Sequence, residues 1–222
     1  MRILLTGATG FVGSAVLSHL VADPGIAAVT CLSRRPIANS ASKVQTILHD
    51  DFAVFDAPLL DRLADHDACI WTLGGKASDL GSPETLARVT HSFTLALATG
   101  LAERAAHPFT FCYLSGMGAD PTETAWFPWE KLTRHLKGRT ERDLRALQDR
   151  HPAFCVHCFR PGGILRDDSG AILRRGLAPI VVEVGVLSEA MIAASHDTLF
   201  RAWPIIGNRE IKRLASHGLR AP

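Results

Sequence analysis

The feature that most constrains the fold is a glycine-rich turn near the start of the sequence, residues 6–13, with the pattern T-G-x-x-G-x-x-G. It lies between a short apolar run, Arg2–Thr6, and residues 14–21, in which apolar side chains recur at helical spacing. In such a strand–turn–helix unit, the first glycine permits a tight turn and the second lets the backbone approach a pyrophosphate, while the third lets the helix pack close to the strand. The turn predicts a dinucleotide-binding unit, and a turn that serves packing alone is the alternative.

The rest of the sequence alternates strands with helices. Apolar runs predict strands at residues 28–33, 43–48, 68–73, 109–115, 154–160 and 180–184. Amphipathic segments predict helices at residues 59–64, 83–104, 126–150, 188–195 and 209–215. Strands that alternate with helices pair in parallel through right-handed crossovers, and strands that are apolar at nearly every position are covered on both faces.

We therefore predict an α/β fold, namely a Rossmann-type doubly wound, mostly parallel sheet with helices on both faces. A single domain is expected over residues 1–222, with a small C-terminal substrate or lid portion from about residue 164 onward.

Composition and charge exclude several classes of partner. Of the 222 residues, 47% are apolar, and 24 Lys and Arg side chains are balanced by 22 Asp and Glu, which leaves a formal net charge of +2. This balance gives no reason to expect nucleic acid or an anionic membrane as a partner. The sequence has no run of about 18 or more uncharged apolar residues and no visible secretory signal. We therefore predict no nucleic-acid partner and no membrane partner.

The cysteines indicate a reducing environment. Their number, five, is odd, which argues against a fully paired set of disulfides. Each lies in a strand-like apolar run, where a free cysteine behaves as a small buried hydrophobe. Cys155 and Cys158 have metal-like spacing, but an odd separation on one strand points them to opposite faces, and no second pair follows. We predict free thiols, no metal site and a cytoplasmic location.

The end of the second predicted strand indicates which dinucleotide binds. An NAD-binding protein usually has Asp or Glu there, about 20 residues after the glycine turn, to bind the ribose 2′-hydroxyl. Here the strand ends Ser33-Arg34-Arg35, and two guanidinium groups can pair with a 2′-phosphate. We predict that Arg34 and Arg35 select NADP (NADPH) over NAD, against the alternative of a solvated basic turn.

Two later stretches are candidates for the adenosine part of the site. Asp51 and Phe52 follow the third predicted strand and are expected beside the adenine. Leu73 and Gly74 end the fourth and are expected close to the ribose. An ordinary acidic turn or glycine loop is the alternative in each case.

Several segments in this order and spacing resemble the short-chain dehydrogenase/reductase superfamily. More closely, the sequence resembles the atypical branch of small Tat-interacting-protein-like (NmrA-like) NAD(P)-binding oxidoreductases. The segments that carry the likeness are TGATGFVG (6–13), VTCLSRRP (29–36), LG (73–74), LSGMGAD (114–120), LKGRTE (136–141), FRPGGI (159–164) and IGNREI (206–211).

The resemblance implies a role for each matching residue. Ser115 matches the active-site serine that hydrogen-bonds a substrate carbonyl, and Lys137 matches the lysine that bonds the nicotinamide ribose hydroxyls. The backbone after Pro161 is implied to face the carboxamide. The residues implied at the phosphates are Gly7, Thr9, Gly10, Phe11, Val12 and Gly13 for the pyrophosphate, and Arg34 and Arg35 for the 2′-phosphate.

The sequence departs from the family at the catalytic acid. The family has a tyrosine four residues before the lysine, one helical turn away, but here that residue is Thr133. A threonine hydroxyl donates hydrogen bonds, yet it cannot be tuned into a good acid near neutral pH. The single tyrosine, Tyr113, is expected one layer deeper, in the core. His135 is expected to point away from Lys137, and Glu130 shares the face of Thr133 and is slightly better positioned.

Two functions follow from this pattern. The first is an NADP-dependent oxidoreductase in which Ser115, Thr133 and a water handle the carbonyl proton, or in which a flavin or quinone accepts the hydride. The second is a non-catalytic NADP-binding sensor or regulatory protein. Trp126, Phe127 and Trp129 suggest an apolar small-molecule substrate or a partner surface, and the chain is expected to be a monomer or a homodimer.

Overall fold

The structure is a computed structural model, and it describes residues 1–38, 41–75, 80–124, 130–169, 179–196 and 205–217. The strands within these ranges are β1 (Arg2–Thr6), β2 (Ala28–Ser33), β3 (Val44–Leu48), β4 (Ala68–Trp71), β5 (Phe109–Leu114), β6 (Phe154–Arg160), β7 (Gly163–Leu165), β8 (Val181–Glu183) and β9 (Ile205–Gly207). The helices are α1 (Phe11–Ala22), α2 (Ala57–Ala64), α3 (Pro83–Ala87), α4 (Phe93–Ala102), α5 (Lys131–Arg150), α6 (Val184–His196) and α7 (Asn208–His217), and a π-helical turn, Arg88–Ser92, joins α3 to α4.

The predicted doubly wound parallel sheet is confirmed. Seven strands pair in the order β3-β2-β1-β4-β5-β6-β9, and every pairing is parallel. A separate two-stranded parallel sheet joins β7 to β8. The chain crosses from one side of the sheet to the other between β1 and β4, and ligands of such sheets bind at the carboxyl ends of the strands at this point.

The sheet has an apolar core on each face, because neighbouring residues of a strand point to opposite sides. Ile3 and Leu5 of β1 belong to the cluster that α1, α6 and α7 cover, and Leu4 belongs to the cluster that α2, α4 and α5 cover. The interior residues of β1 thus contribute to both cores, and the turn that follows β1 lies beside the point where the chain changes sides of the sheet.

All five cysteines are free and buried, as predicted. Burial raises the pKa of Cys31 to about 11, and it raises the pKa of each of Cys69, Cys112 and Cys158 further. Thiols in this state are unreactive near neutral pH. Cys155 contacts His157 and Cys158 lies in the α2/α4/α5 core cluster, which agrees with opposite faces of β6.

The structure differs from the sequence-based expectation mainly in the C-terminal portion. Neither β7 nor β9 was predicted, because three-residue strands carry too little periodicity to be recognised. The apolar run at residues 180–184 predicts a strand, and β8 confirms it over Val181–Glu183. Val184, however, already starts α6, since burial against α1 overrides the local preference of valine. Residues 125–129, at the predicted start of α5, lie outside the described part of the chain. Among the helices of the described residues, none is long and apolar enough to cross a membrane.

Candidate dinucleotide and active site

The turn after β1 requires glycine at two positions. Gly7 has a left-handed φ of +72°, and its carbonyl accepts the N–H of Gly10 at 2.8 Å. A Cβ atom on Gly7 would lie 2.6 Å from the hydroxyl oxygen of Thr72, which itself donates to the Thr6 carbonyl at 2.6 Å. A Cβ atom on Gly13 would overlap the Gly7 carbonyl. The turn is therefore packed tightly against Thr72, the residue that follows β4.

The N-terminus of α1 presents free backbone donors. Gly10 is the N-cap and has no side chain to cap the helix, and the first intrahelical bond runs from Ser14 N–H to Gly10 O at 2.9 Å. Within the described part of the chain, the N–H groups of Phe11, Val12 and Gly13 have no acceptor, and the first turn holds no acidic side chain. Such a terminus attracts anions through its free N–H groups and its partial positive charge.

A cleft of about 130 Å³ opens beside this turn. We call it the cofactor cleft, and its lining residues are Gly7, Thr9, Leu32, Ser33, Arg34, Arg35, Phe52 and Leu73. Both arginines are exposed, and the buried ring of Phe52 forms part of the wall, where it packs against Trp71 and Phe93. The structure thus brings Gly7 and Thr9 of the glycine turn together with the arginine pair, Phe52 and Leu73. The other turn residues predicted to bind the cofactor do not line this cleft, namely Gly10, Phe11, Val12 and Gly13.

Two other residues predicted for this region do not line the cleft. Asp51 accepts the N–H of Ala53 at 2.9 Å, so its carboxylate closes its own turn. Gly74 is exposed, and a Cβ atom there would have nothing within 4 Å among its surroundings. Packing therefore does not explain a glycine at position 74.

A buried ion pair lies beneath the end of β5. Ser115 is 2% exposed, and its hydroxyl donates to Glu141, a residue of α5 that is 1% exposed. Arg160, at the end of β6, donates from Nε to the two oxygens of the same carboxylate at 2.9 and 3.1 Å, and this bond raises the pKa of Arg160. The Ser115 hydroxyl is thus already engaged in a hydrogen bond within the protein.

Lys137 and Thr133 lie on the same face of α5 as Glu141, at four-residue spacing. The Lys137 ammonium donates to the Ser115 carbonyl at 2.8 Å. The Thr133 side chain is 6% exposed, and its hydroxyl donates to the Glu130 carboxylate at 2.8 Å. We call the four residues Ser115, Lys137, Glu141 and Arg160 the Ser115 cluster. Thr133 lies one helical turn before Lys137 and is outside this cluster, because its hydroxyl donates to Glu130.

Two alternative acids lie elsewhere. Tyr113 is buried in the core as predicted, and burial raises the pKa of its hydroxyl, an effect that a hydrogen bond with Thr140 partly offsets. The His135 ring is 3.7 Å from the Asp120 carboxylate, on the side of the helix away from Lys137. The described residues therefore bring neither group to the position that the family tyrosine would occupy.

The backbone around Pro161 is engaged within the protein. The Pro161 carbonyl accepts the N–H of Met117 at 2.7 Å, and the N–H of Gly162 donates to the side chain of Asn208 at 2.9 Å. The next N–H, on Gly163, donates to Ile180 O at 2.8 Å. The stretch implied to face a carboxamide is therefore bonded to the C-terminal portion.

Sequence reasoning missed the parts played by Glu141, Arg160 and Asn208. Each lies inside a segment that carries the family likeness, but their partners are far away along the chain. The only local signal is the four-residue step from Lys137 to Glu141 on one helix face. The predicted substrate-side residues Trp126, Phe127 and Trp129 lie outside the described residues.

Comparison with known proteins identifies fungal relatives. The chain is similar to protein FMP52, mitochondrial, of Eremothecium gossypii, with 32% identity over 165 residues, 74% of this chain and 67% of the relative. It is also similar to protein fmp52, mitochondrial, of Aspergillus fumigatus, with 31% identity over 150 residues, 66% of this chain and 61% of that relative. The match thus spans less than two thirds of the second relative and about two thirds of the first.

These names contradict the cytoplasmic location that the sequence predicted, because both relatives are named as mitochondrial proteins. The prediction was wrong in its reasoning as well, since free buried thiols fit any reducing compartment and do not single out the cytoplasm.

The fold is similar to that of solved structures. The Bordetella bronchiseptica enzyme WbmF in complex with NAD+ matches with a TM-score of 0.70 and 15% identity, over 97% of this chain and 76% of the other. The model of the NAD dependent epimerase/dehydratase family matches residues 3–134, the part that contains the glycine turn, the cofactor cleft and Ser115. The predicted resemblance to NAD(P)-binding oxidoreductases is thereby confirmed, and the chain belongs to the NAD dependent epimerase/dehydratase family.

Proposed function

We propose that the protein is an NADP-dependent oxidoreductase in which Thr133 stands where related enzymes have a catalytic tyrosine. The observation that carries the proposal is the cofactor cleft, in which the glycine turn and the arginine pair line one space at the carboxyl ends of β1 and β2. Ser115 and Lys137 lie at the end of β5, two strands away along the same edge of the sheet. A dinucleotide bound along this edge would extend from one group to the other.

The arginine pair supports NADP over NAD. Arg34 and Arg35 are exposed and line the cleft, and guanidinium groups bind phosphate through charge-assisted hydrogen bonds. Binding of NAD usually relies on a carboxylate at this point, but no carboxylate is among the described residues that line the cleft. The 2′-phosphate would meet two positive charges there.

The lysine supports a nicotinamide at the other end. An ammonium has three N–H donors, and one of them anchors Lys137 to the Ser115 carbonyl. Its charge is therefore fixed beside the end of β5. A Cβ atom on Gly116 would lie 3.3 Å from the ammonium, so glycine keeps the space above Lys137 open for a ribose.

The hydrogen bonds of the Ser115 and Thr133 hydroxyls favour a hydride acceptor that does not need a strong acid from the protein. When bound, NADPH would supply the hydride. Ser115 and Thr133 both donate their protons to carboxylates, so neither hydroxyl points a proton at a substrate carbonyl in this arrangement. A quinone or flavin takes up its proton from water, and an apolar carbonyl could do so only slowly. We therefore propose a quinone or flavin as the favoured acceptor, with an apolar carbonyl as the slower one.

The same two hydrogen bonds favour a second candidate function, a non-catalytic NADP-binding sensor or regulatory protein. Such a protein needs the cofactor cleft but no group that delivers a proton. The engagement of both hydroxyl groups by Glu141 and Glu130 is what that function predicts.

We further propose that residues from about 164 onward form the substrate side of the site, in one domain with the cofactor cleft. The segment after β6 supports this, because Gly162 and Gly163 connect it by hydrogen bonds to Asn208 and Ile180. The chain is proposed to act as a monomer or homodimer, which light scattering of the purified protein distinguishes.

Turnover distinguishes the two candidate functions. The purified full chain is first shown to bind NADPH, and NADPH oxidation is then followed with quinones, flavins and apolar carbonyls as acceptors. The oxidoreductase predicts oxidation that depends on the acceptor, fastest with a quinone or flavin. Tight NADPH binding with no turnover on any acceptor would favour the sensor instead.

The variant Thr133→Tyr tests the missing acid directly. A tyrosine one turn before Lys137 should raise the rate of carbonyl reduction by about 100-fold, the usual contribution of a general acid. The rate with a quinone acceptor serves as the internal control and should change little. An unchanged carbonyl rate in a folded, NADPH-binding variant would mean that Thr133 is not at the position of the family tyrosine.

A further inference from the structure

The turn that follows β7 holds an arginine over the dinucleotide turn. The guanidinium carbon of Arg166 lies 5.4 Å from the centre of the Phe11 ring, in a cation–π contact. Phe11 is the first residue of α1, and its side chain is 44% exposed. Arg166 is exposed as well, and within the described residues no carboxylate lies within ion-pair distance of it. A positive charge is thus held against the side chain of the first residue of α1.

Hydrogen bonds fix this turn on both sides. The Ser169 N–H donates to the Arg166 carbonyl at 3.1 Å, which closes the turn. The Asp167 carboxylate accepts the N–H of Gly185, at the start of α6, at 2.9 Å. The acidic neighbour therefore caps α6, while Arg166 extends toward α1. The two side chains of one turn are directed to two different helix N-termini.

The position of Arg166 along the sheet edge indicates which part of a dinucleotide it would meet. Arg34 and Arg35 follow β2, which is next to β1 on one side, and Lys137 is bonded at the end of β5, two strands away on the other side. Strands lie about 5 Å apart, so Phe11, in the turn after β1, lies between the two ends. A dinucleotide spanning these ends has its pyrophosphate in the middle.

We propose that Arg166 is a cofactor-binding residue that contacts the pyrophosphate of NADP from the C-terminal portion of the chain. The inference depends on the proposed NADP site and adds a second source of positive charge to it. The free N–H groups of Phe11, Val12 and Gly13 approach the pyrophosphate from α1, and the Arg166 guanidinium approaches it from above Phe11. A pyrophosphate carries two negative charges, which suits a guanidinium in addition to the helix N-terminus.

The test compares three ligands on the full chain. Arg166→Ala and Arg166→Lys are titrated with NADP, with NAD and with 2′-AMP, which carries the 2′-phosphate but no pyrophosphate. Arg62→Ala is the matched control, because Arg62 is an exposed arginine on α2, on the opposite face of the sheet. Thermal unfolding of each variant verifies the fold, which an exposed arginine should leave unchanged.

Arg166→Ala should raise the dissociation constants for NADP and for NAD by the same factor, about tenfold or more, and leave the affinity for 2′-AMP unchanged. Arg166→Lys should recover part of the loss, and Arg62→Ala should bind all three ligands like the original chain. Unchanged NADP affinity in a folded Arg166→Ala variant overturns the inference, as does an equal loss for 2′-AMP. If the original chain binds neither NADP nor 2′-AMP, the proposed function fails, and this result is distinct from failure of the role of Arg166.

Discussion

Around the turn after β1 the polar groups face outward, whereas at the ends of β5 and α5 they face one another. The first three N–H groups of α1, those of Phe11, Val12 and Gly13, have no acceptor in the described residues, and Arg34 and Arg35 are exposed in the cofactor cleft. In the Ser115 cluster, by contrast, the Ser115, Lys137 and Arg160 side chains each donate to an acceptor within the protein. The cofactor region, around the turn after β1, thus leaves its polar groups available to a ligand, whereas the polar groups at the ends of β5 and α5 are hydrogen-bonded to one another.

The family resemblance therefore has a different structural meaning in the two regions. The cofactor region depends on backbone shape and on exposed charge, which a ligand can use directly. Ser115 and Lys137, which the sequence resemblance implies as active-site residues, are hydrogen-bonded within the protein.

The largest effect should come from breaking the buried ion pair of the Ser115 cluster. Glu141→Gln leaves the Arg160 guanidinium partly buried without its carboxylate partner, and such a loss costs about 3 kcal/mol or more. The free energy of unfolding, measured by urea denaturation, should fall by that amount. Glu103→Gln is the control, because Glu103 is an exposed residue at the end of α4 and its loss should cost under about 0.5 kcal/mol. Equal effects of the two variants would mean that the Ser115 cluster does not hold the fold.

A smaller effect on stability, but a complete effect on binding, is expected at Gly13. In Gly13→Ala the new methyl group overlaps the Gly7 carbonyl, so the turn must open, at a cost of about 1–3 kcal/mol. NADP binding, measured by calorimetry, should be lost. Gly25→Ala is the control, because Gly25 lies between α1 and β2, at the edge of the sheet opposite the cofactor cleft, and its methyl group would meet only the ends of the Asp23 and His196 side chains, at 3.2 and 3.7 Å. It should change stability little and keep its affinity for NADP. Retained binding in Gly13→Ala would contradict the assignment of this turn to the pyrophosphate.

The smallest effect concerns the pH dependence of stability. Burial lowers the pKa of His66, and its two ring nitrogens contact the Leu63 carbonyl at 3.0 Å and the hydroxyl of Thr30, on β2, at 2.7 Å. Burial also lowers the pKa of His196. Because the unfolded chain protonates both groups below about pH 6.5 while the folded chain does not, the free energy of unfolding should fall as the pH is lowered through that value.

The variant His66→Gln identifies the contribution of that histidine. It should reduce the fall in unfolding free energy between pH 7 and pH 5, and His196 should account for part of what is left. The measurement is urea denaturation at a series of pH values. A fall that is just as steep in His66→Gln would mean that His66 is protonated equally in both states.

Local signals were enough to predict most of the fold. The strands Ala28–Ser33 and Phe154–Arg160 were predicted to the residue, because continuous apolar runs are typical of strands buried on both faces. The three-residue strands β7 and β9 could not be predicted, since they depend on pairing with β8 and β6 and not on their own sequence. The start of α6 was missed for the related reason that packing against α1 outweighs the local preference of valine.

The candidate site divides in the same way. The glycine turn is a local motif of eight residues, and its geometry follows from sequence alone. The direction of the Ser115 hydroxyl depends on Glu141, 26 residues further along the chain, and the position of Arg166 depends on contacts with Phe11 and on the cap at Gly185. Contacts at such separations are set by the tertiary fold, so a single sequence could not indicate them.

The proposed selection of NADP over NAD by the cofactor cleft is tested by titrating the full chain with NADPH and with NADH under identical conditions of salt and pH. Two guanidinium groups facing a 2′-phosphate predict a dissociation constant for NADPH at least about tenfold lower than that for NADH. The variant Arg34→Ala combined with Arg35→Ala should remove that difference by weakening NADPH alone. An affinity for NADH equal to or higher than that for NADPH would contradict the account.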